Sequence, residues 1–273
     1  MAEKTDGKRI VLVTGATSGI GKAIAATLAS AGYLVIGTGR RARPSDLPET
    51  IHYEIMDVTD DASVAEAVQK ITNTYGYPEI CIACAGSGIA GAVEDTPLQE
   101  AKAQFEVNFF GTVRVVQAVL PLMRARNAGR IILIGSLAGR TGMPFQAFYS
   151  ASKFALEGLV ESLRHEIRPY GVEVCLLEPG DFKTGFTGAR RKLAREGSPY
   201  LARFSTTIAI QEHDEQHGAD PSAAGAAVLR LLRMRKLPLR VSVGPLFQRA
   251  AIGMRRLLPD AWFEAVYRIY YRL

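Results

Sequence analysis

The sequence predicts a doubly wound α/β domain: one parallel sheet of about seven strands with helices on both faces, spanning residues 1–273 as a single domain. Three observations predict it. Short apolar runs rich in Val and Ile alternate along the chain with longer amphipathic runs. The apolar runs show no polar alternation, so their strands are buried on both faces, as in a parallel sheet covered by helices. The first run ends in a glycine-rich turn that leads straight into a helix.

Each element follows in order. IVLVTG (10–15) is the first strand, stopped by glycine. Residues 19–31 form a helix with apolar positions Ile20, Ile24, Leu28 and Ala31, and Gly32 fits the position just past its end. YLVIGTG (33–39) is the second strand and IHYEIMDVT (51–59) the third, followed by a helix over 61–75. EICIACAG (79–86) is the fourth strand. A long helix over 97–126 is expected to bend near Gly111. RIILIGS (130–136) is the fifth strand, 147–171 a helix with a glycine at its end, and VEVCLLEPG (172–180) the sixth strand. Residues 183–220 are polar and charged, with few periodic signals; a stretch this long inside a compact domain is usually functional, most often a lid. A helix over 220–235 and a short strand at 239–243 precede a terminal extension, 245–273. No internal repeat or low-complexity linker interrupts the pattern.

Of the 273 residues, 48% are hydrophobic and 22% charged, enough for one large core. The net charge of +6 and pI of about 9.3 suit an anionic partner such as a phosphorylated cofactor or anionic lipid. No block of like charge forms a nucleic-acid arm, so nucleic acid is not an expected partner. Cysteines at 81, 84 and 175 cannot form a disulfide framework and point to a reducing, cytoplasmic setting. The polar start MAEKTDGKR is no signal peptide, and no run of about 18 apolar residues could span a membrane as a helix.

The turn TGATSGIG (14–21) places Gly15, Gly19 and Gly21 between the first strand and the first helix. Glycine lets the backbone turn tightly and approach a pyrophosphate, and the helix N-terminus offers free N–H groups and the positive end of its dipole. Thr17 and Ser18 add hydroxyl donors, and Ile20 completes the turn. NAD sites usually carry an acid at the end of the second strand to hold the ribose 2′-hydroxyl. Here Gly39 takes that place and Arg40 and Arg41 follow. A guanidinium suits a 2′-phosphate, so NADP(H) is favoured over NAD(H). Asp57, closing the third strand, is placed either to meet the adenine edge with Val58 or to cap the next helix.

YSASK puts Tyr149 and Lys153 on one face of a helix, and Ser136 ends the fifth strand at the sheet edge where ligands bind. Hydride transfer to a ketone leaves an alkoxide that needs a proton. A tyrosine hydroxyl can supply it, a nearby ammonium lowers the phenol pKa from about 10, and a serine can orient the carbonyl. TGATSGIG at 14–21, Asp57-Val58, ACAG at 83–86, Asn108 in VNFFG, Ser136, YSASK at 149–153 and PGDFKT at 179–184 together resemble the short-chain dehydrogenase/reductase (SDR) family over residues 8–185. The resemblance implies a Rossmann-type fold and a homodimer or homotetramer built through the helices at 97–126 and 147–170. It implies that Asn108 bends its helix and holds a water linking Lys153 to solvent. It also places Ala85 and Gly86 in the cofactor site, and Pro179, Gly180 and Thr184 against the nicotinamide end. CIACAG departs from the family's Asn-Asn-Ala-Gly at Ala83 and Cys84, which bears on local hydrogen bonding. Cys81 and Cys84, three apart in a strand, point to opposite faces and should neither pair nor share a metal; they read as small hydrophobes.

HDEQH (213–217) differs from a zinc-protease helix in the position of its acids and reads as solvated loop. In the tail, positions 262, 263, 266, 269, 270 and 273 follow helical spacing beside Arg249, Arg255, Arg256, Arg268 and Arg272. Such a basic amphipathic helix packs on the protein's own core, covers the cleft, makes a subunit interface or lies on a membrane surface. In the last case substrates would be lipophilic: steroids, retinoids, or fatty or sphingoid ketones. Met143, Pro144, Phe145 and Phe148 either offer an apolar wall for them or are ordinary core. The expected activity is therefore NADP-dependent hydride transfer between a ketone and a secondary alcohol. A 3-oxoacyl-thioester reductase, an NADP-binding sensor without turnover and a membrane-recruited scaffold are the alternatives.

Overall fold

The computed structural model describes residues 7–255 and 258–273; Arg256 and most of the polar N-terminal run lie outside them. The chain begins with β1 (Ile10–Thr14), α1 (Gly19–Ser30), β2 (Leu34–Gly39), β3 (Ile51–Ile55), α2 (Asp61–Thr74) and β4 (Ile80–Ala83). It continues through β5 (Ile89–Ala90), α3 (Leu98–Phe105), α4 (Gly111–Ala125), β6 (Gly129–Ile134), α5 (Ala147–Ile167) and β7 (Val172–Pro179). The last part holds α6 (Phe186–Ala189), β8 (Arg191–Lys192), α7 (Leu201–Gln216), α8 (Ser222–Arg233), β9 (Arg240–Val243), α9 (Leu246–Met254) and α10 (Asp260–Tyr271).

Seven strands form the expected parallel sheet, in the order β3-β2-β1-β4-β6-β7-β9. β5 and β8 pair separately beside it. Alternate residues of each strand feed two cores, as the two-residue period of a strand requires. Leu12, Cys81, Leu133 and Leu176 meet α2, α4 and α5 on one face. Val11, Ile80, Ile132 and Leu177 meet α1 and α8 on the other. Chain order reverses between β1 and β4, so their carboxyl ends open the crevice where such sheets bind ligands.

The structure departs from the sequence reading in three places. The expected single helix over 97–126 is two helices joined by a π-helical turn, Glu106–Phe110, with Asn108 at its centre and Gly111 directly after it. The 183–220 segment, which gave little periodic signal, holds the 16-residue helix α7. HDEQH is the C-terminal part of that helix and not a loop: Asp214 accepts from Tyr270 at 2.8 Å, and Glu215 accepts from Thr187 at 2.7 Å. Polar side chains that bind neighbouring elements leave no apolar stripe for a sequence to show.

Candidate active site

The turn after β1 is shaped by what its glycines must avoid. Gly15 has φ +65°, and a Cβ there would stand 2.9 Å from the Cα of Ala85, so the ends of β1 and β4 touch backbone to backbone. Ser18 begins α1 without capping it through its side chain, leaving N–H groups at Gly19, Ile20 and Gly21 in the first turn. Gly19 in turn lies against Thr184, whose Cβ would be 3.5 Å from an added methyl. Gly15, Thr17, Ser18, Gly19 and Ile20 thus lie beside Ala85 and Thr184, with Gly21 buried against the Gly15 carbonyl. A Cβ at Gly15 would force the ends of β1 and β4 apart, so glycine keeps this turn as tight as a pyrophosphate site needs.

At the end of β2, a side chain at Gly39 would collide with Thr17 and with the Tyr53 hydroxyl, at 2.6 and 2.7 Å. An acid cannot stand there without displacing them. Arg40 and Arg41 are exposed, and among the described residues neither guanidinium has a hydrogen-bond or carboxylate partner. Lys22 of α1 pairs with Asp46 at 2.5 Å and ties down the loop that carries both arginines. Asp57 does not cap α2: Asp60 does, accepting from the Ser63 N–H at 2.8 Å. The Asp57 carboxylate instead binds the N–H and hydroxyl of Thr59 at 2.9 and 2.7 Å. Val58 is buried beneath Gly111, against the start of α4.

Where the chain departs from the family pattern at Ala83 and Cys84, Thr14 does the bracing. Its hydroxyl accepts from the N–H groups of Cys84 and Ala85 at 3.0 and 3.1 Å. Cys81 lies in the core on the α2–α4–α5 face, and Cys84 packs against the core on the α1–α8 face. Burial pushes both thiols up to about 12, so they stay neutral; among the described residues both cysteines are free.

Ser136, Tyr149, Lys153 and Asn108 come together at the carboxyl ends of β4 and β6. The Ser136 hydroxyl starts a 3₁₀ turn by accepting from the Ala138 N–H at 3.0 Å, and it also meets the Tyr149 hydroxyl. Lys153 is buried and donates to the carbonyl of Ile134 at 2.9 Å; desolvation lowers its pKa to about 8. Asn108 accepts from the Ser87 N–H at 2.9 Å and donates to Ser87 O and Ser152 Oγ, each at 3.1 Å. These bonds hold Asn108 across from α5 at the point where its own helix widens. A Cβ at Gly86 would lie 3.4 Å from Asn108 Oδ1 and 3.9 Å from Lys153 Nζ.

Burial pushes the Tyr149 hydroxyl up to about 12, against opposing pulls from Ser136 and Arg190. Lys153 Nζ, held on Ile134 O, stands 5.8 Å from the Tyr149 ring centroid.

The structure adds residues that the sequence did not single out. Gln248 of α9 accepts from the Asp181 N–H at 2.9 Å and donates to the Asp181 carboxylate, fastening the terminal extension to the Pro179–Gly180 bend. Phe186 lies 5.9 Å, ring to ring, from Tyr149. Arg190 and Glu215 form a buried ion pair next to Phe186. Phe145, in the left-handed region at φ 59°, packs edge-on against Phe204 of α7 at 5.7 Å. Tyr267 and Tyr271 of α10 reach the sulfur of Met143 at 3.8 and 3.9 Å. The inner face of α10 therefore covers the apolar wall ahead of Tyr149.

The comparisons agree with this geometry. The model of the short chain dehydrogenase family matches residues 9–194. A 3-ketodihydrosphingosine reductase of Bacteroides thetaiotaomicron is 40% identical over 267 residues, covering 97% of this chain and 98% of the relative. An NADPH-dependent 3-dehydrocapnine reductase of Ornithobacterium rhinotracheale is 36% identical, with 95% and 96% covered. Among solved structures, a short-chain dehydrogenase from Streptomyces avermitilis superposes with a TM-score of 0.81 at 34% identity, over 96% of this chain and 98% of that one. The chain belongs to the short-chain dehydrogenase/reductase family and is an oxidoreductase of that family.

Proposed function

We propose that the protein is an NADPH-dependent reductase of a lipophilic, long-chain 3-keto compound. The observation that carries this is the cluster of Ser136, Tyr149, Lys153 and Asn108 beside a glycine turn whose adenosine end offers Arg40 and Arg41 and no room for an acid. The names of the two relatives above, one a reductase of 3-ketodihydrosphingosine and one an NADPH-dependent reductase of 3-dehydrocapnine, support the substrate class. Both match over almost their full length, the terminal extension included.

The dinucleotide would be held by Gly15 to Gly21 at its pyrophosphate, by Arg40 and Arg41 at its 2′-phosphate, and by Asp57 and Val58 at its adenine. Ala85, Gly86, Lys153, Pro179, Gly180 and Thr184 would hold its nicotinamide half. When bound it supplies the hydride. The chain's own work is positioning and proton transfer. Ser136 orients the carbonyl oxygen, and Tyr149 donates the proton that the product oxygen needs. Lys153 binds the ribose and relays protons to solvent, with Asn108 holding the relay path open. A phenol kept protonated by burial is the correct form for reduction.

Residues 183–220 act as the lid over this cleft. The outer faces of α3 to α5, where Leu98, Phe110 and Phe154 are exposed, make the contacts of a homodimer or homotetramer. The outer faces of α9 and α10 dock on an anionic lipid bilayer. Leu246, Phe247, Trp262, Val266 and Ile269 are all exposed there, Trp262 by 69% and Ile269 by 80%. Arg249, Arg268 and Arg272 flank them without carboxylate partners among the described residues. Among the described residues no helix is long and apolar enough to cross a membrane, so contact of this kind is peripheral.

The test is NADPH oxidation against a ketone panel: a steroid ketone, retinal, an acetoacetyl thioester and long-chain 3-keto amino alcohols. Turnover concentrated on the long-chain 3-keto members is expected. Preference for the acetoacetyl thioester would replace this reading with that of a 3-oxoacyl-thioester reductase.

A further inference from the structure

Phe145 holds an unusual backbone. Among the described residues, the non-glycine positions with positive φ are Asn127, Phe145 and Arg272. Asn127 lies just past α4 and Arg272 closes α10; helix ends commonly take the left-handed form, and asparagine accepts it readily. Phe145 closes no helix, and at φ 59° its side chain bears a steric cost. Such a conformation persists only where its surroundings over-determine it, and it marks functional segments. This one sits in the segment that joins the Ser136 turn to α5, the helix that carries Tyr149.

What holds it comes from outside the segment. The Gly91 N–H donates to the Phe145 carbonyl at 2.8 Å. Phe204 of α7 meets the Phe145 ring edge-on. Gln211, about two turns further along α7, is buried and donates its amide N–H to the Pro144 carbonyl at 3.1 Å. That carbonyl can only accept, which fixes the amide: Nε2 faces Pro144, and Oε1 is left to accept from Gln146 Nε2, at 2.7 Å. Gln146 is also buried. It stands at the N-cap of α5, yet its side chain caps nothing there and reaches α7 instead. Its backbone carbonyl accepts from the Ser150 N–H at 2.8 Å, inside the first turn of α5. One side chain of α7 thus grips both residues that flank Phe145. Phe204, Thr207, Ile208 and Gln211 form the buried side of α7, and Thr207 extends the grip to the Tyr271 carbonyl of α10.

We propose that Gln211 is a positioning residue for the reaction at Tyr149. Through Pro144 and Gln146 it holds residues 143–146 in the backbone form that sets the apolar wall of Met143, Phe145 and Phe148 relative to the first turn of α5. Helix α7 thereby fixes where a long apolar chain lies when its ketone meets Ser136 and Tyr149. A short ketone that does not extend along the wall has no need of this alignment. Rates respond steeply to small displacements of bound groups, so a segment released from its left-handed form costs long-chain substrates more turnover than short ones. This assignment rests on the ketone-reductase reading and adds the residue that enforces its chain selectivity.

The experiment measures NADPH oxidation with a long-chain and a short-chain 3-ketone of one series, in wild type, in Gln211→Leu and in the double variant Gln146→Leu with Gln211→Leu. Melting temperature and NADPH binding by fluorescence are read alongside. Wild type should favour the long ketone. Gln211→Leu should lower the long-to-short ratio of kcat/KM by about tenfold, mainly through kcat for the long ketone. It also leaves the Gln146 amide buried without its partner, so its melting temperature should fall. In the double variant neither amide side chain is orphaned. Its melting temperature should recover while the ratio stays low, because Pro144 and α5 have still lost their tie to α7. Should Gln211→Leu fold poorly, the double variant carries the test by itself. A ratio that recovers together with the melting temperature would reduce the amide pair to packing and overturn the proposal. So would an unchanged ratio in Gln211→Leu, or a wild type indifferent to chain length. Absence of wild-type turnover on both ketones would overturn the reductase reading along with it.

Discussion

Burial holds the Tyr149 hydroxyl near pKa 12, so at neutral pH the group carries the proton that a newly formed alkoxide takes up. Burial acts on Lys153 in the opposite sense, down to about 8, because its charged form is the protonated one. Sequence spacing placed these two side chains on one helix face but could not show how deeply each is buried. The proposed 2′-phosphate site after β2 could be assembled from the sequence alone, since Gly39, Arg40 and Arg41 are adjacent. Replacing both Arg40 and Arg41 by Ala should weaken NADPH binding by about 10–100-fold, the value of one or two charge-assisted hydrogen bonds, and leave NADH binding nearly unchanged. Fluorescence titration with the two nucleotides checks this; equal loss for both would remove the arginines from the 2′-phosphate. Arg190 and Glu215 were not legible. They are 25 positions apart, and nothing local marks either as buried.

At the scale of elements, the glycine turn announced itself because its three glycines sit between a strand and a helix, where only a few shapes are allowed. Helix α7 did not, because its polar positions bind other elements: Thr207 reaches the Tyr271 carbonyl at 3.3 Å and Asp214 the Tyr270 hydroxyl. The π-turn at Asn108 was visible in the sequence only as a bend, since the partners of Asn108, Ser87 and Ser152, lie in two other segments. Helix α10 divides its apolar residues between two faces. Phe263, Tyr267 and Tyr271 face inward, while Trp262, Val266 and Ile269 face out. The sequence pattern could not separate a core-packing helix from a surface-docking one, and the structure turns one apolar stripe inward and leaves the other exposed. Changing Trp262 and Ile269 to Asp should cut co-flotation with liposomes containing anionic lipid by at least about tenfold, given the cost of charges in the interface. Flotation that persists in this double variant would locate the lipid contact elsewhere. A wild type that stays at the bottom of the gradient and self-associates through α10 would assign the stripe to a second copy of the chain.

Across the whole molecule, the parallel sheet and its two covered faces followed from strands apolar on both sides alternating with helices, while the strand order did not. The charged cluster at the β7–β9 edge did not follow. Glu157 of α5, Glu178 of β7 and Arg240 of β9 meet there, with Arg140 on Glu178 at 3.0 Å and Glu161 on Arg240. Burial first, then Glu178, raises the Glu157 pKa from 4.5 to about 8. A carboxyl whose folded pKa is raised adds stability that is complete below its unfolded pKa and is lost as pH rises through the folded value. Glu157→Gln should therefore gain on wild type as pH rises from about 5 to about 8, by roughly 2–4 °C in Tm for each kcal/mol recovered. A difference in Tm that stays flat across this range would mean that Glu157 is ionised throughout. The whole account depends most on proton donation by Tyr149, and Tyr149→Phe tests it most directly. NADPH oxidation with the best long-chain ketone should fall by about 10²–10⁴-fold, the range of general acid catalysis, while the NADPH dissociation constant stays within about twofold. Turnover within about tenfold of wild type would contradict the account.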